Sequence, residues 1–176
     1  MHVIDEASKD KYLFKDVAQA LSNEGDAIIT NEKGFLIAVN TADCAPVLLC
    51  DKVLKYIGVI HAGWRGSNGR IIENTLDTMK SLGCKNIVAS IGPCLQRINF
   101  EIKDDMDLQV DRKYVSYNEA KTLFDMQLQI LEKLMQNGVK EVSKLNVDTY
   151  SNKNYFSKRR IGDKTGVQFS GIVIKE

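Results

Sequence analysis

Two side chains in this chain stand where they could share one reaction centre. Cys44, in Thr41-Ala42-Asp43-Cys44-Ala45-Pro46, comes shortly after the apolar run Phe35-Leu36-Ile37-Ala38-Val39. His61, in His61-Ala62-Gly63-Trp64-Arg65-Gly66, closes the apolar run Tyr56-Ile57-Gly58-Val59-Ile60. If the two runs are neighbouring strands that end together, a sulfur and an imidazole sit side by side. That pair begins either a metal site or a thiol–imidazole couple with Cys44 as nucleophile and His61 as base. An isolated cysteine is more often a small buried hydrophobe, and a histidine at a strand end is often simply hydrogen-bonded. The setting of Cys44 argues otherwise, since Asp43 before it and Pro46 after it place it in a turn.

An anion site is the second chemistry in view. Gly63 and Gly66 bracket Trp64-Arg65 and lead into a helix-like stretch, so backbone N–H groups and a cation come to one spot. Arg159-Arg160, in Tyr155-Phe156-Ser157-Lys158-Arg159-Arg160, is the densest basic cluster of the chain. Arg65, Arg159 and Arg160 are therefore the candidate anion-binding residues. The plain readings are a surface arginine at 65, a solvated loop at 158–160, packing for Trp64 and turn fixing for Asp43.

Strands must position these groups. Asp26 to Thr30 and Phe35 to Val39 flank Asn31-Glu32-Lys33-Gly34 and predict a hairpin. Val47 to Cys50 and Tyr56 to Ile60 predict a second pairing, both runs apolar enough to be buried on two faces. Ile72, Leu76, Met79 and Leu82 recur at helical spacing, with Gly83 as the stop. Ile87 to Ile91 predicts a buried strand ending at Gly92-Pro93. A second helix is predicted over Asn118 to Gln136, with Leu123, Phe124, Leu131, Leu134 and Met135 on one stripe. Val167 to Ile174 predicts a last strand. The fold class is α/β: a single mixed domain over 1–176 with a largely buried β-sheet core and packed helices.

Composition removes several classes. The chain has 176 residues, 44% of them hydrophobic and 27% charged, with a net charge of +1. It is long enough for a core without disulfides. A balance so near neutral gives no general attraction to nucleic acid or to an anionic membrane. Met1-His2-Val3-Ile4-Asp5 lacks the basic-then-apolar order of a signal peptide, which makes the cytoplasm the expected location. Cys44, Cys50, Cys84 and Cys94 form no CxxC pair and are read as reduced thiols. Of these only Cys44 is expected as a ligand. Cys50 closes a strand, Cys84 follows a helix stop, and Cys94 lies in the Gly92-Pro93 turn. Oligomeric state is not legible in these features.

The segments TADCAPVLLCD, HAGWRG, IGPC followed by Phe100-Glu101-Ile102, and FSKRR resemble, in this order, the laccase-domain family. That family comprises purine nucleoside phosphorylase-like and polyphenol-oxidase-like proteins and a peptidoglycan-editing factor. The resemblance runs from about Asp26 to the end, and the N-terminal family region has no counterpart. It implies a mononuclear zinc or copper site made by two histidines and one cysteine. Cys44 matches the TADC cysteine and His61 the HAGWRG histidine. The remaining family ligand is an upstream histidine ahead of a short apolar strand. His2, ahead of Val3-Ile4, is the candidate, although it stands closer to that strand than the family pattern has it. Either His2 completes the set or the third ligand lies before Met1. Two departures bear on the pocket: Asp148-Thr149 stands where the family often has cysteine or cysteine-threonine, and Gly166-Val167 where it has glycine-arginine.

Several coppers held largely by imidazole would need more than the two histidines present. A Cys–His–His site with an open position has instead the layout of catalytic zinc. The resemblance thus implies a metal-dependent phosphorylase acting on purine nucleosides and phosphate, with adenosine deamination as a further activity. Hydrolytic editing of peptidoglycan precursors, copper-dependent polyphenol oxidation, a metal-free thiol enzyme and a metal-binding but catalytically impaired protein are the alternatives.

Overall fold

A computed structural model of the chain describes residues 25–53, 56–102, 109–117 and 120–175. His2 and the start of the helix expected from Asn118 lie outside them.

The centre is a five-stranded sheet of β1 (Ala27–Thr30), β4 (Ile57–Ala62), β3 (Ala45–Asp51), β5 (Ile87–Ile91) and β8 (Glu141–Lys144), in the spatial order β1-β4-β3-β5-β8. Only the β5–β8 pair is parallel. Alternation along the strands sends side chains to two different cores. Ile29, Val47, Leu49, Ile60 and Ile91 pack with Ile71, Ile72, Leu76 and Met79 of one helix and Ile130 and Leu134 of another. These helices are α2 (Ile71–Ser81) and α3 (Met126–Gln136); the short α1 (Trp64–Asn68) precedes α2. The opposite face offers Ile28, Leu48, Ile57 and Val59 to Ile37, Val39, Ile172 and Ile174. These last come from, or directly follow, β2 (Leu36–Thr41) and β9 (Gln168–Val173), which pair antiparallel as a separate two-stranded sheet. A small β6–β7 pair (Val115–Tyr117, Thr122–Phe124), the short helix α4 (Lys158–Ile161) and two 3₁₀ turns (Arg97–Asn99, Arg112–Tyr114) complete the described elements. The class is α/β, as the sequence predicts, with three layers.

The pairing of β3 with β4 is the one expected, with Cys50 opposite Ile57. The hairpin of 26–30 with 35–39 does not form. β1 pairs β4, and β2 crosses to the other layer to pair β9. Two apolar strands joined by a turn have two ways to bury themselves. Here the Gly34 N–H donates to the Ile174 carbonyl at 2.8 Å, which directs the chain to the second layer. The second helix is also shorter than its pattern. Thr122–Phe124 is strand, Asp125 caps α3 by accepting from the Leu128 N–H, and Met135 is exposed. The first helix ends as expected, with Gly83 in the left-handed region at φ 91°.

Candidate functional site

Strand register builds one side of the site. Ala45 lies opposite Ala62, so the preceding residue, Cys44, falls beside Gly63. A Cβ at Gly63 would stand 3.0 Å from the Cys44 sulfur, so the glycine supplies the room the thiol occupies. His61 sits on β4, two residues before Gly63, close enough to Cys44 for thiol and ring to interact. On the other flank of β4, Ala27 pairs with Ile60, which puts Asp26 across from His61. The Asp26 carbonyl accepts from the His61 N–H at 2.7 Å, and its carboxylate Oδ1 lies 2.8 Å from His61 Nδ1. The hydrogen bond to Asp26, then that to Cys44, push the imidazole up to about 10 against the opposing effect of burial.

Loops build the other side. Asp43 has the left-handed φ of 86°, a conformation that asparagine and aspartate tolerate better than other side chains. Its carbonyl accepts from Leu95 N–H, its Oδ1 from the buried Thr149 hydroxyl at 2.6 Å, and its Oδ2 from the Arg159 N–H at 2.6 Å. One aspartate thus gathers three loops. Asp148 ties two of them again, accepting from Gln96 N–H, Asn99 Nδ2 and Ser151 N–H. Burial works to raise the Asp148 carboxyl, but these hydrogen bonds outweigh it and the net shift is downward. Between the two sides lies a cavity of about 390 Å³. Cys44, Trp64, Phe100 and Met126 line it together with Lys158 and Arg159.

The candidate residues fall into distinct places. Cys44 and His61 are brought together. Arg159 reaches the cavity, donating from Nη1 to the Glu101 carbonyl and lying 5.5 Å over the Phe100 ring. Arg160 is occupied otherwise: its guanidinium donates to the carbonyls of Thr149, Tyr150 and Tyr155. Arg65 is exposed and stacks 4.2 Å from the Trp64 ring centre. Cys94 is fully buried with its sulfur accepting from Gln96 and Gln127, and burial above all pushes its thiol up to about 12. Cys84 is buried after Gly83, and Cys50 is half-buried at the far end of β3.

Sequence reasoning missed Asp26, Asp43 as a hub, and Lys158. Asp26 immediately precedes an apolar strand, as Cys44 does. The expected hairpin paired that strand with the wrong neighbour and hid the aspartate from His61.

A cysteine that lines the cavity, with a histidine on the adjacent strand beside it and a carboxylate behind the ring, suits a transition metal. Among the described residues no group of three His, Cys, Asp or Glu side chains is placed to hold an ion. Two donors therefore fit, and a third would come from outside the described residues, where His2 lies.

The sequence profile of the multi-copper polyphenol oxidoreductase laccase family matches residues 2–175. The chain belongs to this family. Among its relatives is a purine nucleoside phosphorylase of Rickettsia prowazekii, 38% identical over 146 residues, covering 78% of this chain and 61% of that protein. An adenosine deaminase from an unknown prokaryotic organism is 31% identical, covering 98% of this chain and 70% of that protein. A Neisseria meningitidis protein of known crystal structure superimposes with a TM-score of 0.77 at 29% identity, over 90% of this chain and 69% of its own. This laccase-family chain thus spans about three fifths of the Rickettsia relative. No described helix is long and apolar enough to cross a membrane.

Proposed function

We propose that this laccase-family chain is a metal-dependent purine nucleoside phosphorylase, cleaving adenosine, inosine or methylthioadenosine with phosphate, with adenosine deamination as a second activity. The observation that carries the reading is a single cavity bordered by Cys44 on one side and by Lys158 and Arg159 on the other. Its volume lies in the range of about 300–1,000 Å³ usual for small-molecule sites. The names of the Rickettsia and unknown-prokaryote relatives support the choice of substrate class.

Cys44 and His61 would hold zinc or copper, with His2 as the proposed third ligand. When bound, the metal supplies Lewis acidity beside the cavity. Lys158 and Arg159 hold phosphate as charge-assisted donors. Trp64 and Phe100 give the planar base an aromatic wall, and Met126 adds an adaptable apolar one. Held there, a phosphate oxygen forms its bond to C1′ as the C1′–N9 bond breaks, and the base leaves with that electron pair and takes up a proton. Oxidase chemistry with several imidazole-held coppers suits a chain with two histidines poorly.

The test is base release from inosine and adenosine by the zinc-loaded protein, followed by chromatography with and without phosphate. Phosphate-dependent release of free base with sugar phosphate is expected, and Arg159→Ala should raise the KM for phosphate about tenfold. Base release that ignores phosphate, or none, overturns the reading. Asp26 on His61 Nδ1 favours one second reading, a thiol–imidazole–carboxylate triad with Cys44 as nucleophile. A zinc-free protein that is fully active, and that alkylation of Cys44 inactivates, would establish it instead.

A further inference from the structure

β1 is the edge strand of the central sheet, and Asp26 precedes it by one residue. Its backbone and its carboxylate both engage the same histidine, at 2.7 Å through the His61 N–H and at 2.8 Å through Nδ1. The two side chains are 19% and 27% exposed, so water competes only partly for this bond. A carboxylate on Nδ1 leaves Nε2 as the free ring nitrogen. It also fixes the ring's rotation about its bond to the chain. Cys44 approaches from β3, on the other flank of β4, so the three groups form a row across three adjacent strands.

We propose that Asp26 is a positioning residue that holds the His61 ring so that Nε2 is presented to the cavity beside Cys44. The inference rests on the reading of Cys44 and His61 as a metal centre. In such a centre a carboxylate behind a ligating histidine fixes its tautomer and raises its basicity, and losing it costs about 10- to 100-fold in metal affinity. Asp26 is the residue placed to do this: it touches no cavity wall, and its contribution acts entirely through His61.

The experiment compares the whole chain with Asp26→Ala, Asp26→Asn and Cys44→Ala. Zinc affinity is measured by competition with a chromophoric chelator. On metal-free protein, proton NMR follows the His61 Nδ1 proton, assigned by its absence in His61→Ala. Asp26→Ala should weaken zinc binding about 10- to 100-fold, and Asp26→Asn less, because the amide oxygen still accepts from Nδ1–H. The hydrogen-bonded ring proton should be seen in the wild type and lost in Asp26→Ala. Retention of that proton together with zinc affinity within about twofold of wild type would overturn the proposal. Should wild type bind zinc no better than Cys44→Ala, the metal reading fails and the proton resonance decides alone. Its loss in Asp26→Ala then sustains the orienting role of Asp26, and its persistence removes it.

Discussion

The two sides of the cavity are held by different physics. Asp26, His61 and Cys44 sit at one end of three adjacent strands, and their relative positions follow from register. Slipping any of those strands by one residue would turn Ile29, Val47 or Ile60, each fully buried, out of the helix-packed core and into the opposite one, where other side chains already fill the space, so register is firmly specified. Lys158 and Arg159 sit instead on a one-turn helix whose place depends on a few hydrogen bonds to Asp43, Thr149 and the backbone carbonyls that Arg160 gathers. The strand-borne side should therefore tolerate loss of its functional groups without unfolding. The loop-borne side should lose geometry whenever its hub is cut.

The sharpest contrast is between His61→Ala and Asp43→Ala. His61→Ala should lower activity at least about 100-fold while costing only about 1–2 kcal/mol, chiefly the lost hydrogen bond to Asp26, because a part-buried group is removed from a frame that the strands themselves hold up. Asp43→Ala should act on both quantities. It removes two charge-assisted hydrogen bonds, each worth about 1.5–3 kcal/mol, and puts alanine at φ 86°. A loss of about 3 kcal/mol in urea unfolding is expected, with a raised phosphate KM. An unchanged urea midpoint would show that the loops are held by something else.

A smaller effect separates the neighbouring arginines. Arg160→Ala should cost about 1–3 kcal/mol of stability by leaving the Thr149, Tyr150 and Tyr155 carbonyls without their donor. Arg159→Ala should leave stability within about 0.5 kcal/mol and affect phosphate dependence alone. Reversal of that order, read from the two urea curves, would break the distinction between buttress and ligand.

The smallest effect is one of pH. The folded Asp148 carboxyl is held below its ordinary value. Its contribution to stability is therefore present above the unfolded carboxylate range and is lost as pH falls through the lower folded value. Asp148→Asn should flatten the acid limb of the stability curve relative to wild type. Parallel acid limbs would show that Asp148 does not contribute to it.

Sequence reasoning reached the strand-borne side more fully than the other. Cys44 and His61 do come together, but by another route than the expected pairing of run 35–39 with run 56–60: β2 pairs β9 in the other layer, and it is β3, which begins just after Cys44, that lies beside the end of β4. Asp26 was missed because apolar alternation says which residues are buried, not which strand lies alongside, and β1 chose β4 over β2. The loop side was less legible still. Arg159 and Arg160 are identical in type and adjacent, yet one lines the cavity and the other holds three carbonyls. That assignment is made by Asp43 and Thr149, 116 and 10 residues from Arg159 in the chain, contacts that no local pattern encodes. The helix expected over Asn118 to Gln136 forms only from Met126 for a related reason: Thr122–Phe124 pairs with Val115–Tyr117, a tertiary contact that outweighs its helical spacing.

The central claim is that Cys44 and His61 act together on one metal ion. Equilibrium dialysis of the whole chain against zinc, with the bound metal counted by elemental analysis, tests it most directly. The expected result is about one zinc per chain, lost in both Cys44→Ala and His61→Ala and retained in Cys50→Ala. Zinc bound equally by wild type and Cys44→Ala, or by neither, would contradict it.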